Sequence, residues 1–293
     1  MKVGIFGQKN NKTTLKYIHT LVELLLKYDT TIVFEENIFE YFSKKFPGFT
    51  FQTFKDYHDL DNTYDMFYSV GGDGTFLRSI TFIRDHNIPI IGINTGRLGF
   101  LATVQKEQIV EAVYQINQGN YKIKERSVLS LQTNDQNPDV QEINIALNEI
   151  AITRKNTASM ITVETYLDDE FLTTYWSDGL IISTPTGSTG YSLSCGGPII
   201  SPSSKNIVLT PIAPHSLSVR PLVIPESTKI ELHIGSRSKE AILTLDSRMT
   251  TISNSTKILI SKADFTIKTL HLNSQTFIKT LREKLLWGQD KRN

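Results

Sequence analysis

Met66-Phe67-Tyr68-Ser69-Val70-Gly71-Gly72-Asp73-Gly74-Thr75 runs from an apolar segment through a glycine cluster, and Phe76, Leu77, Ile80 and Ile83 follow at helical spacing. A short apolar run closed by glycines predicts a buried strand, and the spacing after it predicts a helix. In open α/β sheets ligands collect beyond the carboxyl ends of strands. There, glycines let backbone N–H groups approach phosphate and the start of the next helix favours negative charge. An Asp inside such a loop needs a reason. A carboxylate near phosphates is repelled unless a cation intervenes or it takes the proton of an attacking hydroxyl, as a phosphotransferase requires. The plainer alternative is a tight turn in which the glycines supply positive φ and Asp73 caps the helix.

Outward from this loop the grammar is that of a parallel α/β domain. Residues 3–6 predict a strand, Leu15, Ile18, Val22 and Leu25 share a helical face, and residues 31–34 predict a second strand. A helix over 38–46, the strand at 66–70 and one more over 88–93 continue the alternation. After a helical stretch near 108–118 the period becomes two: Ile230, Leu232 and Ile234 alternate with Lys229, Glu231 and His233. Strands are likewise predicted over 145–153, 161–167, 242–245 and 257–261. The tail over 274–287 is helical, with Phe277, Leu281 and Leu285 on one face, Asn273 or Ser274 as cap, and Gly288 just past the end. The expected division is an α/β N-terminal domain over 1–105, joined by the C-terminal helix of 273–293, and a β-rich domain over 106–272. No repeat, low-complexity tract or Pro/Gly-rich linker separates them.

Composition narrows the function. Lys plus Arg number 31 against 30 Asp plus Glu, a net charge of +1, so bulk charge does not advertise nucleic acid or an anionic membrane. The lone Cys195 has no partner in the chain, which fits a reducing cytosol. No apolar run approaches the roughly 20 residues that span a bilayer, and the N-terminal apolar stretch is too short for a signal peptide. G-x-x-x-x-G-K-[ST] and G-x-G-x-x-G are both absent, so neither a P-loop nor a Rossmann loop binds a nucleotide here. H-E-x-x-H, a cysteine cluster and G-x-S-x-G are missing too.

Three further segments carry polar chemistry. Residues 94–101, Asn-Thr-Gly-Arg-Leu-Gly-Phe-Leu, form a second glycine-bearing loop at a strand's end, suited to clasp one ligand with the first or to serve as a connector. Residues 178–194 are dense in hydroxyls and glycines. Such a loop surrounds a polar ligand, with Tyr191 as an aromatic surface, or is simply a solvated turn. Asn148-Glu149 places two polar side chains on an otherwise apolar strand. Adjacent strand residues face opposite sides, so one points inward unless a bulge intervenes, and a buried amide or carboxyl needs partners.

Taken together these segments resemble the NAD kinase family. Residues 71–75 alone are similar to loops of lipid kinases and phosphofructokinases. Residues 94–100, Asn148-Glu149, Asp178-Gly179, 184–191 and Ala213-Pro214-His215-Ser216-Leu217-Ser218 look like NAD kinase in the family's order. The resemblance implies an NAD kinase/diacylglycerol kinase-like fold, with a Rossmann-like parallel-sheet domain and an all-β, sandwich-like one. It also implies a site between the domains and a homodimer or homotetramer. By motif position Asp73 becomes the base for the adenosine ribose 2′-hydroxyl, with Gly72, Gly74 and Arg78 near phosphates. Asn148 and Glu149 would hold ribose and adenine. Asp178, Thr186, Thr189, Gly190, Tyr191, Ser192, Leu193 and Ser194 would line the rest of the NAD pocket. ATP or another phosphoryl donor and a divalent ion, Mg2+ or Mn2+, complete the set. No carboxylate cage is visible in the sequence, so the metal is expected to travel with the donor's phosphates.

The chain also departs from the pattern. Gly190 stands where alanine is common, Trp176 where several relatives carry a basic residue, and Asp246-Ser247-Arg248 where Asp-Gly-Gln or Asp-Ser-Gln is frequent. Arg248 is read as a phosphate contact or a solvated charge, and His215 as structural. Competing functions are a lipid or sugar kinase using the same loop and a non-catalytic NAD(P)-binding sensor.

Overall fold

Apolar residues four deep in strand Lys2–Gly7 and every residue of Met66–Gly71 and Ile90–Asn94 are buried, the pattern of strands covered on both faces. In the computed structural model, which describes residues 1–135, 140, 144–155, 160–236 and 239–286, they form the middle of a parallel sheet. Its order is Gln52–Phe54, Thr31–Glu35, Lys2–Gly7, Met66–Gly71, Ile90–Asn94, all parallel. Helix Lys12–Leu26 presents Ile18, Leu21, Val22 and Leu25 to this sheet, and Asn11 starts it by accepting the Thr14 N–H at 3.1 Å. Helices Glu36–Lys45, Asp73–Ile83 and Ile109–Asn117 complete the α/β unit. Its core gathers Ile5, Ile18, Leu21, Phe34, Phe42, Tyr68, Ile91, Val113 and Leu270.

The chain divides into two compact units, Met1–Glu125 with Ile267–Asn293, and Arg126–Thr266. The expected boundary at 105/106 falls before helix Ile109–Asn117, whose buried Ile109, Ala112, Val113 and Ile116 belong to the first unit's core. The second unit is antiparallel throughout. One sheet runs Leu222–Pro225, Asn206–Ile212, Gly179–Ser183, Glu149–Arg154, Glu240–Leu245, Arg248–Ser253. A second set pairs Glu170–Ser177, Ile161–Leu167, Ile230–Gly235 and the start of Lys257–Leu272. Ile150, Ile152, Leu180 and Leu243 from the former share one core with Ile161, Val163, Leu232 and Ile258 from the latter, as in a sandwich.

Three elements differ from the sequence expectation. The strand predicted over 145–153 is two pieces, Ile145–Ala146 and Glu149–Arg154, because the backbone between them turns its N–H groups to a side chain. The tail helix spans Phe277–Leu285 and is capped by Thr276, which accepts the Lys279 N–H at 3.1 Å, not by Asn273 or Ser274. Trp287 and Gly288 lie outside the described residues. Lys257–Leu272 runs far beyond the expected 257–261. No helix among the described residues is long and apolar enough to cross a membrane.

Candidate active site

Strand Met66–Gly71 delivers Gly72 as the cap of helix Asp73–Ile83, which places Asp73 in its first turn. The two glycine loops of this unit meet: the Thr95 N–H donates to the Gly71 carbonyl at 3.0 Å. Asn94 fastens the second loop from within, accepting the Gly96 N–H at 2.7 Å and donating to the Arg97 carbonyl at 2.6 Å. That loop then wraps the Asp73 carboxylate. Phe100 N–H donates to Oδ2 at 2.8 Å, and Leu101 and Ala102 donate to Oδ1 at 3.1 and 2.9 Å. A Cβ on Gly99 would collide with Asp73 Oδ1, so only glycine permits this approach. An ionised carboxylate offers about four acceptor directions. Three are filled by backbone, and Asp73 keeps capacity for one more proton donor.

The glycines flanking Asp73 are open: a Cβ on Gly72 or Gly74 would meet nothing within 4 Å. A ligand can therefore lie directly against this backbone. Arg78 is exposed on the same helix, but its guanidinium lies over the Phe6 ring, 5.5 Å from the centroid. The ammonium nearest Asp73 is one that motif reasoning passed over, Lys284 of the C-terminal helix, 3.8 Å from Oδ2.

In the second unit the anchor is Asp246. Its carboxylate accepts N–H groups of Leu147, Asn148 and Glu149 at 2.9, 2.7 and 3.2 Å, and its own N–H donates to the Glu149 carbonyl at 2.9 Å. The strand breaks at this point, which is how both Asn148 and Glu149 turn inward. Asn148 Oδ1, Glu149 Oε2 and Thr186 Oγ1 are buried without a hydrogen-bond partner. Such atoms mark a place for polar groups of a ligand. Burial, and secondarily the charge on Asp246, push the Glu149 carboxyl up to about 8 against one N–H from Tyr191 that favours the anion. At neutral pH Glu149 is a neutral acid able to donate as well as accept.

The hydroxyl-rich loop divides its labour. Ser183 and Thr184 donate to the Asn148 and Leu147 carbonyls at 3.2 and 2.6 Å, and Ser188 to the Pro185 carbonyl at 2.7 Å. Ser192 is fully buried, 2.8 Å from the Thr210 hydroxyl. These hydroxyls hold the loop rather than await a ligand. Thr189 donates to the Thr186 carbonyl at 3.3 Å, Leu193 is half-buried, and Tyr191 and Ser194 are exposed. A Cβ on Gly190 would stand 3.0 Å from Glu149 Oε2 and 3.4 Å from Asn148 Nδ2, so the two site side chains border the space above this residue. Asp178 is ion-paired to Arg154 at 2.9 Å. His215 is exposed, its backbone N–H bonded to the Trp176 carbonyl at 2.8 Å. Arg248 donates to the Ile145 carbonyl, so it braces the short strand that precedes Asn148 and is not simply a solvated charge. Among the described residues no three His, Cys, Asp or Glu side chains converge as a metal cage.

Two family models match the chain, the ATP-NAD kinase N-terminal domain over residues 3–121 and the ATP-NAD kinase C-terminal domain over residues 147–272. The chain belongs to the NAD kinase family. It is 51% identical to an NAD kinase of Christiangramia forsetii and 48% identical to one of Flavobacterium johnsoniae, in both cases over 100% of each chain. The fold matches yeast NADH kinase complexed with NADH with a TM-score of 0.86 at 25% identity, covering 99% of this chain and 89% of the other. An Archaeoglobus fulgidus NAD kinase in complex with ATP gives 0.74 at 25% identity, covering 98% and 99%. These full-length matches favour NAD kinase over a lipid or sugar kinase and over a non-catalytic sensor.

Proposed function

We propose that this member of the NAD kinase family transfers the terminal phosphoryl group of ATP to the 2′-hydroxyl of the adenosine ribose of NAD, giving NADP. The observation that carries the chemical assignment is the Asp73 carboxylate, clamped by three backbone N–H groups and left with one acceptor direction at the start of a helix. In the transfer, the ribose O2′ forms a bond to the γ-phosphorus while the bond from that phosphorus to the β–γ bridging oxygen breaks. ADP leaves with that electron pair, and the hydroxyl proton passes to Asp73. Gly72 and Gly74 present open backbone to the donor's phosphates, in keeping with anion binding at a helix start. Arg78 is exposed one turn on and contributes charge at longer range.

The partnerless atoms Asn148 Oδ1, Glu149 Oε2 and Thr186 Oγ1 give the NAD adenosine its hydrogen-bonding groups, with Tyr191 as a ring surface and Gly190, Ser194 and Asp178 around it. Thr189, Ser192 and Leu193 keep that loop in shape. A divalent ion, Mg2+ or Mn2+, neutralises polyphosphate charge when bound. Such an ion would be carried mainly by the donor's phosphates. The lone Cys195 fits a reducing cytosol, and a homodimer or homotetramer is the expected assembly, measurable by light scattering.

The test is a steady-state assay with Mg-ATP and NAD, reading NADP through an NADP-specific dehydrogenase. Asp73→Asn should lower kcat by about 10²- to 10⁴-fold while NAD still binds. Comparable turnover by the variant removes Asp73 from the chemistry. Folded wild-type protein that makes no NADP removes the activity itself.

A further inference from the structure

The C-terminal helix is fastened to the loop that wraps Asp73 by several independent contacts. Gln275 Nε2 donates to the Thr103 carbonyl at 2.8 Å, and the Thr103 hydroxyl donates back to Gln275 Oε1 at 3.0 Å. Phe277 packs against Phe100, ring centroids 6.4 Å apart. Eight residues on from Thr276, Lys284 sets its ammonium over the Phe100 ring, 5.1 Å from the centroid, and 3.8 Å from Asp73 Oδ2. The Lys284 side chain is 35% exposed and that of Asp73 29%, so both groups remain accessible to a ligand.

A triphosphate that enters beside Asp73 brings several negative charges to a carboxylate. Arg78 is turned over Phe6, and the described ion pairs give Asp73 no cation other than Lys284. We propose that Lys284 is a positioning residue for the transfer. Its ammonium offsets the repulsion between the Asp73 carboxylate and the polyphosphate of a nucleoside triphosphate, so that base and donor occupy the site together. The proposal rests on the role given above to Asp73. It predicts that the C-terminal helix contributes to donor binding and not to recognition of NAD.

Four proteins test it: wild type, Lys284→Gln, Lys284→Arg, and Lys279→Gln as a charge-loss control at an exposed position of the same helix. Lys284→Gln should raise the KM for Mg-ATP about fivefold, the upper end for a partly exposed charge pair. Its KM for NAD and its melting temperature should stay close to wild type. Lys284→Arg should recover most of the loss, and Lys279→Gln should match wild type. Raising ionic strength should weaken donor binding in the wild type more than in Lys284→Gln, because the lost charge is the screened one. An unchanged donor KM in Lys284→Gln overturns the proposal. So does an equal loss in the Gln and Arg variants with a lowered melting temperature, which would make Lys284 a packing residue. If the wild type makes no NADP, the activity fails separately. Calorimetric titration with ATP then decides Lys284 by the same difference of about fivefold.

Discussion

At Glu149 a carboxyl group is 8% exposed, has one backbone N–H for company and faces a second carboxylate, and its pKa stands at about 8 against 4.5 for a free side chain. The folded state therefore holds a proton that the unfolded chain releases. Between pH 4.5 and 8 the native protein binds more protons than the denatured one, so stability falls as pH rises through that window. Below 4.5 the penalty is absent, and above 8 it is complete. Glu149→Gln removes it. The variant should gain stability relative to wild type from pH 5 to pH 8, on the order of a few kcal/mol at the upper end, in urea melts across that range. An offset that does not change with pH would show that Glu149 is ionised in the native protein. Asn148 and Glu149 stood out in the sequence because polar residues interrupt an apolar run. Asp246, which orients both, stood out only as part of a family pattern, with no link to them. It precedes a turn almost a hundred residues later, and only the folded register brings the two together.

At the scale of elements, the carboxylate of Asp246 takes the place of a strand partner for three successive amides. Asp246→Ala would leave the N–H groups of Leu147, Asn148 and Glu149 without an acceptor. It should cost about 3–5 kcal/mol in chemical denaturation and weaken NAD binding along with it. Stability like the wild type's would mean that the strand closes over the gap. Periodicity revealed the strands that alternate or are wholly apolar, such as Ile161–Leu167 and Met66–Gly71. It failed for Tyr121–Thr133, where Lys122, Lys124, Glu125 and Arg126 crowd the first half, and for Glu170–Ser177, an edge strand whose apolar residues fall in adjacent pairs, Phe171-Leu172 and Tyr175-Trp176. The tail helix was visible in its apolar face, yet its start moved to Thr276. Ser, Asn and Thr are all fit caps, and residues 273–276 hold one of each.

For the molecule as a whole, the sequence showed the change from parallel α/β to antiparallel grammar. Where the first unit ends is set by packing. Helix Ile109–Asn117 buries its apolar face in the N-terminal core, which periodicity reports as burial without saying against what. Residues from 267 onward return to that same unit. A chain stopped after Asn273 should lose the Gln275–Thr103 pair and the cover over Phe100. A loss of about 2–4 kcal/mol in urea denaturation is expected, with turnover lowered by tenfold or more. Full activity in the truncated chain would show that the last helix is dispensable.

The discontinuity of the first unit also sets an order of events during synthesis. Domains fold as units while the ribosome delivers roughly 5–20 residues each second. The unit spanning Arg126–Thr266 is contiguous and is free to fold as soon as it emerges, whereas the unit with Asp73 waits for the strand end at Thr269 to pair beside Ile90 and for Gln275 to reach Thr103. A nascent chain thus completes the unit that holds Asn148 and Glu149 before the unit that holds Asp73. The Asp73 carboxylate meets Lys284 only after the second stretch of its own unit has emerged.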